Sequence, residues 1–155
     1  MVEIALTSAE RQFFLGLNEL SVPYLVVGLS AAVLQGADTA TMDIDIWFGD
    51  RSDPRIADAA MQAGGIWIPA HFGMMPPTLG GDTLGDRLDV VVTASGLKSF
   101  EEEHRGARQI EVDEVMLSVL PLERIITSKR AAGRMKDLAV LPALEAALAA
   151  AQRSG

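Results

Sequence analysis

The sequence predicts an α+β fold: a mixed, mostly antiparallel sheet with helices packed on it. Three observations carry this. Tyr24–Val27, Thr41–Phe48 and Arg87–Val92 are short apolar runs of strand length and composition. Residues 109 to 120 alternate about Asp113-Glu114, which reads as a hairpin. Segments with three- and four-residue apolar spacing lie between and beyond these runs and read as helices that cover a sheet.

Taken in order, residues 7 to 20 form the first helix. Thr7 and Glu10 make a capping box, and Phe13, Phe14, Leu17 and Leu20 share one face. Tyr24–Val27 is a fully apolar strand closed by Gly28. Ser30 to Gln35 is a short helix with Gly36 as its C-cap. A loop over residues 37 to 40 leads to the strand Thr41–Phe48. Asp53 caps a helix that starts at Pro54 and stops at Gly64-Gly65. Ile66–Ile68 is a short strand, and residues 69 to 86, rich in Gly and Pro, form a long loop of the kind that is usually functional or mobile. After the strand Arg87–Val92, Ser95 caps a helix reaching Glu103. The hairpin follows, then a helix from Pro121 to Ala132 stopped by Gly133. A last helix runs from Lys136 to Ala150, kinked or divided at Pro142.

Composition sets the outer bounds. The chain has 155 residues, which suits one domain over 1–155 with a real core. Apolar content of 49% and charged content of 22% mark a globular chain. Thirteen Lys and Arg against 21 Asp and Glu leave a net charge of −8, which argues against binding duplex DNA by bulk charge. A nucleotide stays admissible, because a metal can mediate between acidic side chains and phosphates. There is no cysteine, so disulfides and thiolate metal sites are excluded. No signal-peptide pattern and no apolar run of membrane-spanning length are found, so no membrane partner is expected and the expected compartment is the cytoplasm.

The chemistry centres on Met42-Asp43-Ile44-Asp45-Ile46. Residues i and i+2 of a strand point to one face, roughly 6 to 7 Å apart. Asp43 and Asp45 then face together, with Met42, Ile44 and Ile46 turned to the core. Two like charges at that spacing raise each other's pKa unless a cation lies between them. One or two Mg²⁺ ions fit that need, and Mg²⁺ commonly completes its octahedron with substrate phosphates. Asp89, set between Leu88 and Val90, is the comparable third carboxylate. A solvated face on an edge strand accounts for the same D-x-D pattern without a metal.

The stretch Val27-Gly28-Leu29-Ser30-Ala31, then Gly36, then Thr41-Met42-Asp43-Ile44-Asp45, with Asp89 later, resembles the nucleotidyltransferase superfamily of the polymerase-β type. The tail from Leu120 to Leu138, LPLERIITSKRAAGRMKDL, is similar to the close of small bacterial members, including those related to AbiEii-type toxins of abortive-infection systems. The resemblance spans roughly residues 20 to 145. It implies a nucleotidyltransferase-like sheet, two Mg²⁺ held by Asp43, Asp45 and Asp89, and a triphosphate held at Gly28 and Ser30. Two positions depart from the pattern. Leu29 stands where a second Gly is usual, and Thr39 where an Arg is common.

Lys129, Arg130, Arg134 and Lys136 cluster near Gly133. They either reach a triphosphate or an RNA end, or complement a helix C-terminus and pair with Asp137 and Glu123. The resemblance singles out Lys129 and Lys136 for the nucleotide. Arg87 either shares the face of Asp89 or is an exposed strand-end residue. His71, in the long loop, is a candidate substrate contact, and Phe72, Met74 and Met75 make that loop a lid, a partner surface or part of the core.

Three functional readings follow. The first is an enzyme moving a nucleotidyl group from an NTP, with ATP the expected one, to a hydroxyl of a protein, RNA or small-molecule acceptor. The second, motivated by Leu29 and Thr39, is a catalytically degenerate module in a toxin–antitoxin-like or regulatory pair, working with a partner protein or a second copy. The third is a small-molecule modifier such as an antibiotic nucleotidyltransferase.

Overall fold

The protein is described from a computed structural model over residues 4–68, 78–81, 84–92 and 94–154. Helix α1 (Ser8–Glu19) forms where its cap dictates. The Thr7 hydroxyl accepts from the Glu10 amide at 3.1 Å, and the Glu10 carboxylate accepts from the Thr7 amide at 2.9 Å. Its apolar stripe, Phe13, Phe14 and Leu17, is buried. Strand β1 (Tyr24–Val27) is buried at every position, as a continuous apolar run should be. The chain then turns at Gly28, with φ +65°, directly into α2 (Gly28–Leu34). This helix starts two residues before the expected Ser30, because Gly28 reaches a left-handed φ cheaply and leaves no room for a loop.

Strand β2 (Ile44–Phe48) buries Ile44, Ile46 and Phe48 and alternates with half-buried Asp45 and Trp47. It is shorter than the expected Thr41–Phe48. The Thr41 hydroxyl donates to the Asp43 carbonyl at 3.0 Å and accepts from the Asp43 amide at 3.4 Å, a local turn that keeps 41 to 43 off the ladder. Met42 is 83% exposed rather than in the core. Helix α3 (Pro54–Gln62) carries its Asp53 cap and initial proline as the sequence implies. Strand β3 (Ile66–Ile68) pairs antiparallel with β4 (Thr78–Gly80), so part of the expected loop over 69 to 86 is a strand. Residues 69–77, with His71, Phe72, Met74 and Met75, lie outside the described residues.

Strand β5 (Leu88–Val91) precedes a loop and helix α4 (Phe100–Arg105). That helix begins later than expected from Ser95. Its cap is Ser99, whose hydroxyl accepts from the Glu102 amide at 3.2 Å, while Gly96 lies so close to Ala131 that a Cβ there would clash. Strands β6 (Arg108–Val112) and β7 (Val115–Val119) form the expected hairpin, with Asp113 and Glu114 both at positive φ. Helix α5 (Leu122–Ala132) ends at Gly133 in the left-handed region, and α6 (Met135–Ser154) is one continuous helix. Pro142 removes one bond to the Leu138 carbonyl but does not divide it, since Leu144, fully buried just beyond, keeps the helix packed. Among the described residues no helix is long and apolar enough to cross a membrane.

The five-stranded sheet runs β5-β2-β1-β7-β6. Antiparallel pairs β1–β2 and β6–β7 alternate with parallel pairs β1–β7 and β2–β5, so this sheet is evenly mixed rather than mostly antiparallel. The class is α+β, a mixed sheet with helices packed on it. Two registers matter for chemistry. Val27 faces Asp45 across β1–β2, and Asp45 faces Asp89 across β2–β5.

The start of β5 is pinned from α1. The fully buried Glu10 carboxylate accepts two bonds from Arg87, from Nε at 2.8 Å and from the guanidinium terminus at 2.6 Å, and Arg87 also donates to the Ala5 carbonyl. Arg87 therefore braces the sheet edge from the α1 side and does not offset Asp89. The Arg87 carbonyl in turn accepts from the Ile44 amide at 2.7 Å, the first rung beside the site. Removing the buried acid strands a guanidinium, so Glu10→Ala is expected to cost about 2–4 kcal/mol in guanidinium unfolding, discounted for the partial exposure of Arg87.

Candidate active site

The register of three strands assembles the acidic site. Asp45 lies on β2 with Asp89 beside it on β5, and Asp43 approaches from the turn before β2. Asp45 is half-buried, whereas Asp43 and Asp89 are exposed. Burial, then the Asp89 charge, pushes the Asp45 carboxyl up to about 6; Lys129 pulls it down, and Asp43 adds a smaller upward push. Asp89 is also held above the usual carboxylate range, by partial burial first and then by the charge of Asp43 and a hydrogen bond shared with it. The three carboxylates thus interact, although Asp43 reaches the group from a turn and not as the i−2 position of a strand face.

The end of β1 supplies the other wall. A Cβ on Gly28 would run into Asp45 Oδ2, so only glycine lets this carboxylate lie against the backbone. Ser30 is fully buried. Its hydroxyl donates to the Val27 carbonyl at 2.9 Å and accepts from the Asp45 amide at 3.2 Å. That hydroxyl is committed to the protein and does not face a ligand, so a role for it in holding phosphate is not what its placement favours. Leu29 lies on the cavity wall between the two.

These residues open onto a cavity of about 700 Å³. Gly28, Leu29, Asp43 and Asp45 form one side, Val91, Ser95 and Leu97 another, and Lys129, Arg134, Lys136 and Asp137 a third, whereas Asp89 is not among the lining residues. Asp137, which the sequence offered only as a partner for the basic cluster, organises that side. Buried at the first turn of α6, it accepts from Arg134 Nε at 2.6 Å, from the Arg134 amide at 3.2 Å and from Lys129 Nζ at 3.3 Å. Arg134 and Lys129 hold its carboxyl down at about 2. Its signal in the sequence was an acid three residues after Arg134 at a helix start, half of a capping box. Arg130 points away, to Glu145 at 2.5 Å. Glu123 is not the partner of this cluster.

Among the described residues, no group of three or more His, Cys, Asp or Glu is placed so that it could hold a metal ion. The oxygen donors are nonetheless adjacent, and two of them carry raised pKa values that an added positive charge would lower.

No protein-family model and no curated protein sequence matches the chain. Solved structures do. ANT(2")-Ia in complex with adenylyl-2"-tobramycin superposes with a TM-score of 0.59 at 15% identity, over 91% of this chain and 88% of that one. The fold is that of a nucleotidyltransferase. The solution structure of the antibiotic-resistance factor ANT(2")-Ia gives a TM-score of 0.53 at 13% identity over 94% of each chain. An antigenic nucleotidyltransferase-like protein from Paracoccidioides brasiliensis gives 0.51 at 17% identity, over 91% of this chain and 78% of that one. At these identities the likeness establishes the nucleotidyltransferase fold, and the chemistry must be argued from the residues.

The raised pKa of Asp45 has a consequence for stability. Its stabilising contribution is complete below the unfolded value near 3.8 and is lost as pH rises through about 6, because the folded site disfavours the charge. At pH 7 without added metal, Asp45→Asn is therefore expected to be more stable than the parent by about 1–2 kcal/mol, a range discounted for partial exposure. At pH 4 the difference should close. Urea unfolding at the two pH values measures both.

Proposed function

We propose that the protein transfers a nucleotidyl group from an NTP, with ATP the expected donor, to a hydroxyl group of an acceptor. The observation that carries this reading is the juxtaposition of Asp45 with Asp89 on paired strands and with the glycine turn at Gly28, Asp45 itself lining a cavity that Lys129 and Lys136 also line. The nucleotidyltransferase fold supports the reaction class.

Asp43, Asp45 and Asp89 would hold the metal. All are oxygen donors, as a hard cation such as Mg²⁺ requires, and the strain on Asp45 and Asp89 is of the kind a cation relieves. When bound, the cation supplies Lewis-acid stabilisation of the charge that develops on the phosphates. The chain's own groups do the rest. The acceptor oxygen forms a bond to the α-phosphorus, and the bond from that phosphorus to the pyrophosphate oxygen breaks. Asp89, exposed and of raised basicity, takes the acceptor proton. Lys129, fixed by Asp137, and the exposed Lys136 face the phosphates. Gly28 lets the backbone approach them.

A small-molecule acceptor is the favoured class. A cavity of about 700 Å³ is of ligand size, with Leu29, Val91 and Leu97 as apolar wall beside the acids. Two of the matched structures are of an antibiotic-resistance factor, one holding an adenylylated tobramycin. The resemblance to AbiEii-type toxins points instead to an RNA or protein acceptor and to a partner protein. The cytoplasm is the compartment proposed with this reading. The degenerate-module reading keeps one specific observation in its favour, the Leu29 side chain on the cavity wall beside Gly28.

Calorimetry with Mg²⁺ and each NTP, followed by transfer from labelled ATP to aminoglycosides, lincosamides, RNA and protein, tests these readings. Saturable nucleotide binding that Mg²⁺ tightens is expected, with Mg²⁺-dependent turnover on one acceptor class. Asp45→Asn and Asp89→Asn should each lower turnover by roughly a thousandfold, the several kcal/mol expected for losing a metal-site carboxylate. Absence of nucleotide binding at millimolar concentration would sink the enzyme reading. Binding without turnover on any acceptor would favour the degenerate module.

A further inference from the structure

The motif Gly28-Leu29-Ser30 has a second use that its place in the fold makes visible. At the end of β1 the chain leaves the sheet and enters α2, so the ladder with β2 must end there as well. The last partners are Val27 and Asp45. Between them stands the Ser30 hydroxyl, which accepts the Asp45 amide at 3.2 Å and donates its own proton to the Val27 carbonyl at 2.9 Å. A side chain thus closes the rung where the two strands part. Ser30 is 0% exposed, and both strong hydrogen-bonding functions of its hydroxyl point at protein.

The consequence falls on Asp45. Its amide is tied to α2 through Ser30, and its carboxylate rests against Gly28, where any Cβ would collide with Oδ2. Backbone and side chain of one aspartate are therefore both located by residues within a single turn of one helix.

We propose that Ser30 is a positioning residue for Asp45: its hydroxyl fixes the end of β2 so that the Asp45 carboxylate is held against Gly28 and beside Asp89. The proposal takes over the reading of Asp45 as a cation ligand, and it assigns Ser30 no contact with the nucleotide.

Two variants and two measurements test it. Ser30→Ala removes the hydroxyl, and Ser30→Cys keeps nearly the same volume while replacing it with a weak donor and acceptor, so the fold should survive in at least the second. The first measurement is amide hydrogen exchange without metal or nucleotide. Both variants should speed exchange at Asp45 by about tenfold, the loss of roughly one hydrogen bond, with Ile46 little changed. The second is calorimetric titration with Mn²⁺ and, separately, with metal-free ATP. Affinity for Mn²⁺ should fall by about tenfold or more, as when a partner that orients a metal ligand is lost. Affinity for metal-free ATP should stay within about twofold, far less than a lost phosphate contact would take.

Unchanged exchange at Asp45 overturns the proposal whether or not the protein binds a cation. So does a variant that loses metal-free ATP binding while keeping Mn²⁺, since that marks Ser30 as a phosphate contact. A parent chain that binds neither Mn²⁺ nor ATP defeats the enzyme reading alone, and the exchange result then decides the role of Ser30.

Discussion

The parallel register of β2 and β5 is the constraint on which the rest of the site depends. It sets Asp45 beside Asp89 at adjacent Cα positions, and two carboxylates so placed repel in a partly desolvated setting. Each neighbouring feature answers to that repulsion. The antiparallel partner of β2 ends at Asp45, which opens room on that side, and Gly28 occupies the room without a Cβ. The Ser30 hydroxyl holds the strand ends that would otherwise separate. The Glu10–Arg87 pair secures the start of β5 on the side of α1, away from the acids. A mixed sheet is required here. The parallel pair brings two acids level, and the antiparallel pair brings the turn after β1 against one of them.

Much of this was legible in the sequence because it follows from local rules. The Thr7–Glu10 box, Asp53 before Pro54, the Asp113-Glu114 turn and the Gly133 stop are each decided within a few residues, and the structure has them all. The acids could be picked out as carboxylates interrupting apolar strands. What the sequence could not show was anything set by long-range packing. Asp43 was placed on the strand because D-x-D fits a two-residue period, yet a hydroxyl two positions upstream competes successfully for its backbone. Spacing leaves Arg87 either on the face of Asp89 or exposed at the strand end, whereas a buried acid on a distant helix claims it. Ser30 was assigned to a ligand by resemblance to a motif. Which way a buried hydroxyl turns is decided by the strand it meets, fifteen positions later.

The basic wall poses the last physical question, because under the proposed reaction a chain of net charge −8 would have to receive a polyanion. Bulk attraction does not help it; local cations must. Of those on the wall, Lys129 and Arg134 are both bound to Asp137, a buried acid held at about 2 and therefore charged at any physiological pH. Two cations on one carboxylate leave a single net positive charge, and the shared acid fixes where those cations stand. Lys129 is paired with Asp137, and its charge also lowers the pKa of Asp45. A phosphate entering between Lys129 and Asp45 then meets a cation whose conformational entropy has been lost in advance and whose charge is only partly satisfied. Lys136, exposed and on the same wall, supplies attraction without that preorganisation. Under the proposed reaction, the restrained lysine would position the phosphate and the exposed one would attract it. It also explains how an acidic surface can coexist with a phosphate site: the charges that matter are few, local and held in place by an acid of their own.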